Sequence, residues 1–400
     1  MLTRLLKSPS VRAAVVYGIG GLGFAIGNML LAKALPTKEF ALVALVIAVA
    51  QLTSTVGPLG VDTLVIRYSI NLDLRFLARV LVSSTAVAAV SSLIAWSVYG
   101  FSTSLLLITF VICVMSSANN VGASIFQSRG KFLEALALTE SHNIMIVVAA
   151  AVTVMASMNV AFAPLAVIAL AYALSAIIAW LGALKLPSVV NTVKITEVPW
   201  KEGLTILAIE LAVITLIQLE RLTIPKLLDY ESLATFAILA TVAGSPYRVL
   251  QMAVNFTLLP RLRQAENVAA RRRIAKSEAI IAAFIVAAGS VFVWLLTQPF
   301  IEWFLDGRYQ ISDGLVAAAI LAGVAKVVSS FTGTSVTALG NERDLSRLNF
   351  FSWIAIAVGL AAAVALAGYG LVGVVLGVSI GWIFLSAVGS LISARYLRTT

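Results

Sequence analysis

Three ionisable side chains lie deep inside long apolar stretches of this sequence: Glu210, Arg248 and Lys326. A charged side chain at the centre of a membrane-spanning helix costs at least about 2.5–3.5 kcal/mol on insertion scales. Three such costs in lipid would approach the net stability of a whole protein. We therefore expect these side chains to line a water-filled cavity, with a structural pair of Glu210 and Arg248 as the alternative.

The types of these side chains indicate which ligands they could bind. Arginine presents a planar fork to phosphate oxygens and lysine acts as a point charge, so Arg248 and Lys326 suit an anion. Glu210 partly offsets their charge and could instead bind and release a proton. Glu220 and Arg221 lie at the predicted outer end of the same helix, and we interpret them as an interfacial pair and a gate.

Small polar residues recur beside these charges at steps of three or four, which places them on one face of a helix. The stripe around Arg248 consists of Thr241, Gly244, Ser245, Arg248, Gln251 and Asn255. A second stripe consists of Lys326, Ser330, Gly333 and Thr337, and its first-half counterpart of Ser116, Asn119, Asn120, Ala123 and Gln127. These stripes predict a polar translocation path, although small residues also let helices pack closely. Pro246 is expected to kink its helix.

Twelve mostly apolar stretches position these side chains, each near the roughly 20 residues needed to cross a bilayer core. They lie near residues 14–34, 40–58, 78–98, 104–126, 143–160, 163–183, 203–220, 233–256, 278–298, 314–336, 349–367 and 371–392. Apolar residues make up 60% and charged residues 12% of the chain, which excludes an ordinary soluble domain. The sequence predicts an all-α polytopic membrane protein with twelve transmembrane helices.

Basic residues are concentrated in alternate connections between these stretches. The opposite connections hold only Lys33, Lys38, Arg221, Lys226 and Arg308. Because positive loops stay in the cytoplasm, we expect both termini to be cytoplasmic in a multi-pass protein of the cell inner or plasma membrane. This placement accounts for the net charge of +10 without a nucleic-acid partner.

A polar connection holding Pro187 and Pro199 divides the chain into two halves of six helices. We predict an N-terminal lobe over residues 1–186, a cytoplasmic linker over 187–202 and a C-terminal lobe over 203–400. Residues 35–41 match residues 228–234 as outer turns that open a helix. Because six is an even number, the halves would share one orientation and be related by a pseudo-two-fold axis along the membrane normal.

Other motifs carry less weight. The run from Gly18 to Gly23 fits G-x-G-x-x-G, but it lies inside a predicted span, where glycines favour close packing rather than dinucleotide binding. Cys113 is the single cysteine and His142 the single histidine, so we expect no metal, no cofactor and no enzyme activity. We interpret His142 as a residue at the membrane edge.

Three segments resemble a known family: NMLLAKALPTKEFAL at residues 28–42, LGVDTLVIRY at 59–68 and NFTLLPR at 255–261. They are similar to the O-antigen-type flippases, the polysaccharide-biosynthesis branch of the multidrug/oligosaccharidyl-lipid/polysaccharide exporter superfamily. The resemblance implies alternating access around a central cavity and a polyprenyl-diphosphate-linked oligosaccharide as cargo, flipped from the inner to the outer leaflet. It implies substrate contacts from Arg248, Lys326, Asn119, Asn120, Gln127, Gln251, Asn255 and Ser330.

We therefore expect a flippase for cell-surface polysaccharide synthesis. Its partners would be the lipid-linked glycan, membrane lipids, and a polysaccharide polymerase or glycosyltransferases; Glu210, Glu220 and Arg221 would couple or gate transport. The main alternative is a drug or organic-cation antiporter on the same fold, which predicts that acids outweigh bases in the cavity. A membrane-embedded glycan enzyme would need a cluster of acids or histidines at the membrane interface, and a non-transporting scaffold is the last alternative.

Overall fold

The computed structural model describes residues 9–67, 70, 74–186 and 200–397, nearly all of them in helices. Packing divides the chain into two compact units, Met1–Ile214 and Thr215–Thr400. The boundary falls inside a helix, about three helical turns after the predicted start of the second lobe at residue 203. Residues 187–199 of the predicted linker lie outside the described residues.

The first unit is built from seven helices and the first half of an eighth. They are α1 (Pro9–Ala34), α2 (Thr37–Val56), α3 (Val61–Arg67), α4 (Leu74–Tyr99), α5 (Thr103–Ser128), α6 (Phe132–Met155), α7 (Phe162–Leu184) and α8 (Trp200–Leu227). The helix α8 begins in the first unit and ends in the second.

The second unit continues from the end of α8 through six further α-helices. They are α9 (Tyr230–Val242), α10 (Ser245–Arg263), α11 (Val268–Phe304), α12 (Asp313–Leu339), α13 (Glu342–Leu366) and α14 (Gly370–Leu397). A single 3-10 turn, Ala367–Tyr369, joins the last two.

The described helices account for the twelve predicted spans. Nine stretches are long and apolar enough to cross a membrane, and the bent pair α9–α10 forms a tenth. One of the nine, Glu342–Leu397, contains both α13 and α14, and the apolar part of α1, Gly18–Ala34, is a shorter helix that completes the set. The prediction of an all-α membrane protein with twelve spans is confirmed.

The eighth span is broken where the sequence predicts a kink. The axes of α9 and α10 differ by 53° at a break just before Pro246, which has no backbone N–H to donate to the preceding turn. A side chain at Gly244 would collide with the carbonyl oxygen of Ala240, so the break also needs glycine there. The hydroxyl of Ser245 donates to the carbonyl of Thr241, which satisfies one of the exposed backbone acceptors.

Three glycines of α1 serve helix packing, whereas nothing lies within 4 Å of a Cβ at Gly18 or Gly21. Gly20 admits the carboxylate of Glu140 on α6, and a Cβ at Gly23 would lie 3.1 Å from the carbonyl oxygen of Asn143. A Cβ at Gly27 would lie 2.8 Å from the backbone of Ile146. The two helices therefore touch backbone to backbone along this face.

One span begins well before its predicted position. The helix α6 starts at Phe132, whereas the hydropathy pattern places its span from residue 143. Gly130, at φ +72°, makes the turn that lets the helix begin early. The polar residues of the first turns, Glu134 and Thr139 among them, mask this start in the sequence. As a result α6 carries ionisable groups that the sequence analysis missed.

Two glycines fix the start of α8 against the short helix α3. Gly60 has φ +77°, and a Cβ there would lie 2.6 Å from the carbonyl oxygen of Gly203. In turn, a Cβ at Gly203 would lie 2.6 Å from the side chain of Leu64. This close approach brings the following turns of α8 alongside α3.

Replacing Gly60 with alanine should destabilise the protein more than the same change at Gly130. Both variants share the strain of a non-glycine residue at positive φ, about 1–3 kcal/mol. Only Gly60→Ala adds a collision, because nothing lies within 4 Å of a Cβ at Gly130. Thermal unfolding of the detergent-solubilised variants should show the larger loss for Gly60→Ala, and equal losses would contradict the close approach.

Candidate functional site

Lys326, a charged residue inside an apolar helix of the second unit, is held by two side chains of that unit. Its ammonium donates a hydrogen bond to Oε1 of Glu220 at 2.8 Å and lies 5.7 Å from the ring centroid of Trp382. Glu220 is only 1% exposed. A carboxylate and an aromatic face are the two groups that stabilise an ammonium best in a dry site.

Three helices place these groups. Glu220 lies on α8, Lys326 on α12 and Trp382 on α14. The hydroxyl of Ser386 donates to the carbonyl of Ala325 at 3.1 Å, which fixes α14 against α12 beside Lys326. One turn earlier on α12, Gly323 leaves room for the ring of Tyr247 from α10.

Glu220 and Arg221, expected to pair with each other, each have another hydrogen-bond partner. Neighbouring residues of a helix point about 100° apart and do not face each other. The Arg221 guanidinium instead donates to Oε1 of Gln218 at 3.1 Å, one turn back along α8. It is also repelled electrostatically by Arg248 on α10 and attracted by Glu220.

The other residues predicted for this unit lie on α10 and α12. Arg248 is exposed, Gln251 is half-buried, and Asn255 lies on α10 with its side chain outside the described set. Ser330 is half-buried one turn after Lys326. Since Lys326 is neutralised by Glu220, the positive charge left for an anion comes from Arg221 and Arg248. The predicted phosphate contact of Lys326 would require its ammonium to leave Glu220.

A second acidic group lies in the first unit. Thr63 on α3 donates to Oε1 of Glu210 on α8 at 3.3 Å, and the carboxylate of Asp62 acts electrostatically on Glu210. Burial raises the pKa of Asp62, which lies outside the apolar spans, to about 6. Its Oδ1 atom is buried and has no hydrogen-bond partner among the described residues. The alternative pair of Glu210 with Arg248 stays a prediction.

The first-half polar stripe contributes to packing more than the sequence suggests. The Asn119 side chain, 1% exposed, donates to the carbonyl of Leu138 at 3.1 Å and accepts from Ser175 at 2.8 Å. These bonds tie α5 to α6 and α7, which replaces the predicted substrate contact of Asn119 with a structural one. Asn120 donates to the carbonyl of Ser54 at 3.3 Å. Gln127 is exposed near the end of α5.

The sequence analysis missed Glu140 and Asn143 on α6. Asn143 donates to Oε2 of Glu140 at 2.7 Å, and the ring of His142 stacks on Tyr172 of α7 at 4.9 Å between centroids. His142 is therefore packed between α6 and α7, and its place at the membrane edge stays a prediction. Trp382 was also missed, although its helical spacing from Ser379 and Ser386 is a signal that could have found it.

No protein-family model and no curated protein matches this chain. Solved structures do match along nearly its whole length. One is the inward-facing conformation of a multidrug resistance MATE family transporter of the MOP superfamily, with a TM-score of 0.65, 16% identity, and 96% of this chain and 98% of that chain covered. Another is the Vibrio cholerae MATE transporter VcmN in its bent form, at TM-score 0.58 and 13% identity, with 96% and 97% covered.

An outward-facing conformation of a multidrug resistance MATE family transporter also matches, at TM-score 0.52 and 16% identity, with 97% of this chain and 95% of that chain covered. The likeness shows the fold. The chain has the MATE architecture of twelve membrane-spanning helices in two six-helix lobes.

The Glu220–Lys326 pair should be strongly coupled. Removing one partner of a buried ion pair leaves the other charge uncompensated, so Glu220→Gln and Lys326→Met should each destabilise the protein. The double variant should be more stable than the sum of the two losses implies, with a coupling energy of about 1–3 kcal/mol. Unfolding of the four proteins in detergent measures this cycle, and additive losses would show that the pair is not formed.

Proposed function

We propose that this protein is an alternating-access transporter that exports organic cations. The observation that carries the proposal is the buried carboxylate of Glu220, which already binds an ammonium against the ring of Trp382. The fold is that of transporters solved in both inward-facing and outward-facing conformations. Those structures are described as multidrug resistance transporters, and the proposal extends that cargo class to this chain.

The balance of charge supports a cationic cargo. Glu140 and Glu210, two charged side chains that the structure places well inside described helices of the first unit, are both acids. In the second unit the charge of Lys326 is offset by Glu220. Glu140 on α6, which the sequence analysis missed, and Glu220 on α8 thus remove the excess of bases that the sequence alone indicates. With Glu140, Glu210 and Glu220 against Lys326, Arg221 and Arg248, acids and bases are equal in number, so the excess of bases that argued against an organic-cation antiporter is absent.

Proton exchange is the coupling that the first unit supports. Thr63 donates a hydrogen bond to Glu210 beside Asp62, and the pKa of Asp62, about 6, lets that residue change its charge within the physiological range. Release of a proton would leave two neighbouring negative charges, which repel each other. Such a pair favours binding one proton at a time, and that proton could be exchanged for a cationic cargo.

Proteoliposomes that contain the protein should take up tetraphenylphosphonium when a proton gradient is imposed. Glu210→Gln should weaken the dependence of this uptake on the gradient, because glutamine cannot bind a proton. An unchanged pH profile would reduce Glu210 to a structural hydrogen-bond partner of Thr63. Uptake no faster than in protein-free liposomes would contradict the export of organic cations.

Flipping of a polyprenyl-diphosphate-linked oligosaccharide is the second candidate function. It is favoured by Arg221 and Arg248, two guanidinium groups of the second unit near enough to feel each other's charge. Together they could bind a diphosphate, as the resemblance to O-antigen-type flippases implies. This function would place the protein in the inner membrane beside a polysaccharide polymerase or glycosyltransferases.

Lipid extracts distinguish the two functions. If the protein flips a lipid-linked glycan, cells that lack it should accumulate the polyprenyl-diphosphate-linked oligosaccharide and display less glycan at their surface. Arg248→Ala should reproduce this accumulation at normal protein abundance. An unchanged pool in cells without the protein would exclude the flippase and leave the organic-cation exporter.

A further inference from the structure

We propose that Lys326 is a built-in competitor of the substrate: its ammonium fills the place where the protonated amine of a cargo binds Glu220 and Trp382. The inference rests on the proposed export of organic cations and names the site and the chemical class of the cargo. That class is the alkylammoniums, which carry N–H donors on a single positive charge. Binding of such a cargo would require the lysine to withdraw from Glu220.

The chemistry of the pocket is that of an alkylammonium site. The lysine side chain is itself an alkyl chain that ends in an ammonium, and the pocket holds this ammonium by an ion pair of 2.8 Å and by a ring at 5.7 Å. Both contacts recognise the charged head rather than its attachment to α12. A free alkylammonium could therefore make the same two contacts.

The exposed fractions of the three side chains show from which side the ammonium approaches Glu220 and Trp382. The Lys326 side chain keeps 23% of its surface exposed, whereas Glu220 is 1% and Trp382 is 4% exposed. The carboxylate and the indole thus form a buried wall, and the lysine approaches it from the open side. Because the lysine stem has four flexible carbons, it can swing away while the wall stays in place.

The carboxylate has binding capacity that the lysine does not use. Lys326 contacts Oε1 of Glu220, while Oε2 is buried and has no hydrogen-bond partner among the described residues. A buried acceptor without a donor is unfavourable by about 1–3 kcal/mol. A mobile amine can centre itself between the two oxygens, which the tethered one does not do. This gives a free cargo an advantage over the lysine.

Lys326 is not the only source of positive charge near Glu220 among the described residues. Arg221, bound to Gln218, acts on Glu220 as a nearby positive charge. Arg248 adds a second positive charge on the side of Arg221. When Lys326 withdraws, Arg221 still provides a positive charge near Glu220. Repulsion by Arg221 and Arg248 also limits how tightly any cation is held, which suits a site that must release its cargo.

Binding of radiolabelled hexylammonium to the purified protein tests the competition. Lys326→Met keeps the length of the stem but removes the ammonium, so it should bind about tenfold more tightly if the lysine fills the pocket for about nine-tenths of the time. Lys326→Arg, which retains a cation, should bind like the unaltered protein. The double variant Glu220→Gln/Lys326→Met should lose the gain. Equal affinity of Lys326→Met and the unaltered protein would overturn the proposal.

A second measurement needs no substitution and so does not depend on how well the variants fold. An amine-reactive reagent should label Lys326 faster, relative to the exposed Lys185 in the same sample, when hexylammonium is present, because the displaced ammonium becomes accessible. The ratio corrects for the reagent that hexylammonium, a primary amine, consumes, and neutral hexanol should not change the ratio. Peptide mass spectrometry reads the labelling at both lysines. A ratio unchanged at a hexylammonium concentration that saturates binding would overturn the proposal.

Failure of this proposal can be told apart from failure of the proposed function. Displacement of Lys326 without transport in proteoliposomes would leave the alkylammonium site standing and reject the export of organic cations. Transport of tetraphenylphosphonium without any effect of hexylammonium on Lys326 would do the reverse.

Discussion

The ion pair of Glu220 and Lys326 is the interaction around which the second unit is arranged. A lone carboxylate or ammonium would be very unfavourable among apolar helices, so the two must stay together or be replaced by other partners of opposite charge. This requirement fixes α8 against α12, and the ring of Trp382 adds α14 to the same contact. The charges of the candidate site thus also fix the positions of the three helices that surround it.

Much of the fold could be predicted from the sequence. Apolar length and the alternation of basic loops depend on the bilayer itself, and the bilayer acts on every span alike. The kink at Pro246 was predictable because proline lacks the backbone donor. The early start of α6 was not, because polar residues in its first turns resemble a loop when hydropathy is averaged along the chain.

The candidate site was harder to predict. Sequence identifies which side chains are too costly for lipid, but not which of several partners satisfies each one. Lys326 was expected to bind a phosphate, and its partner proved to be Glu220, more than a hundred residues away. Asn119 was expected to face a path, yet its amide is used between three helices. Distances between helices decide both outcomes, and helical spacing within one helix carries no information about them.

The glycine face of α1 has a consequence for how far sequences of this architecture can diverge. Close packing at Gly20, Gly23 and Gly27 requires only that these positions have no side chain. The lipid-facing surfaces require only that their side chains be apolar. Neither requirement depends on the identity of the residue on the neighbouring helix. Most positions can therefore drift freely while the helices keep their places, and a chain 16% identical to another can follow it over 96% of its length.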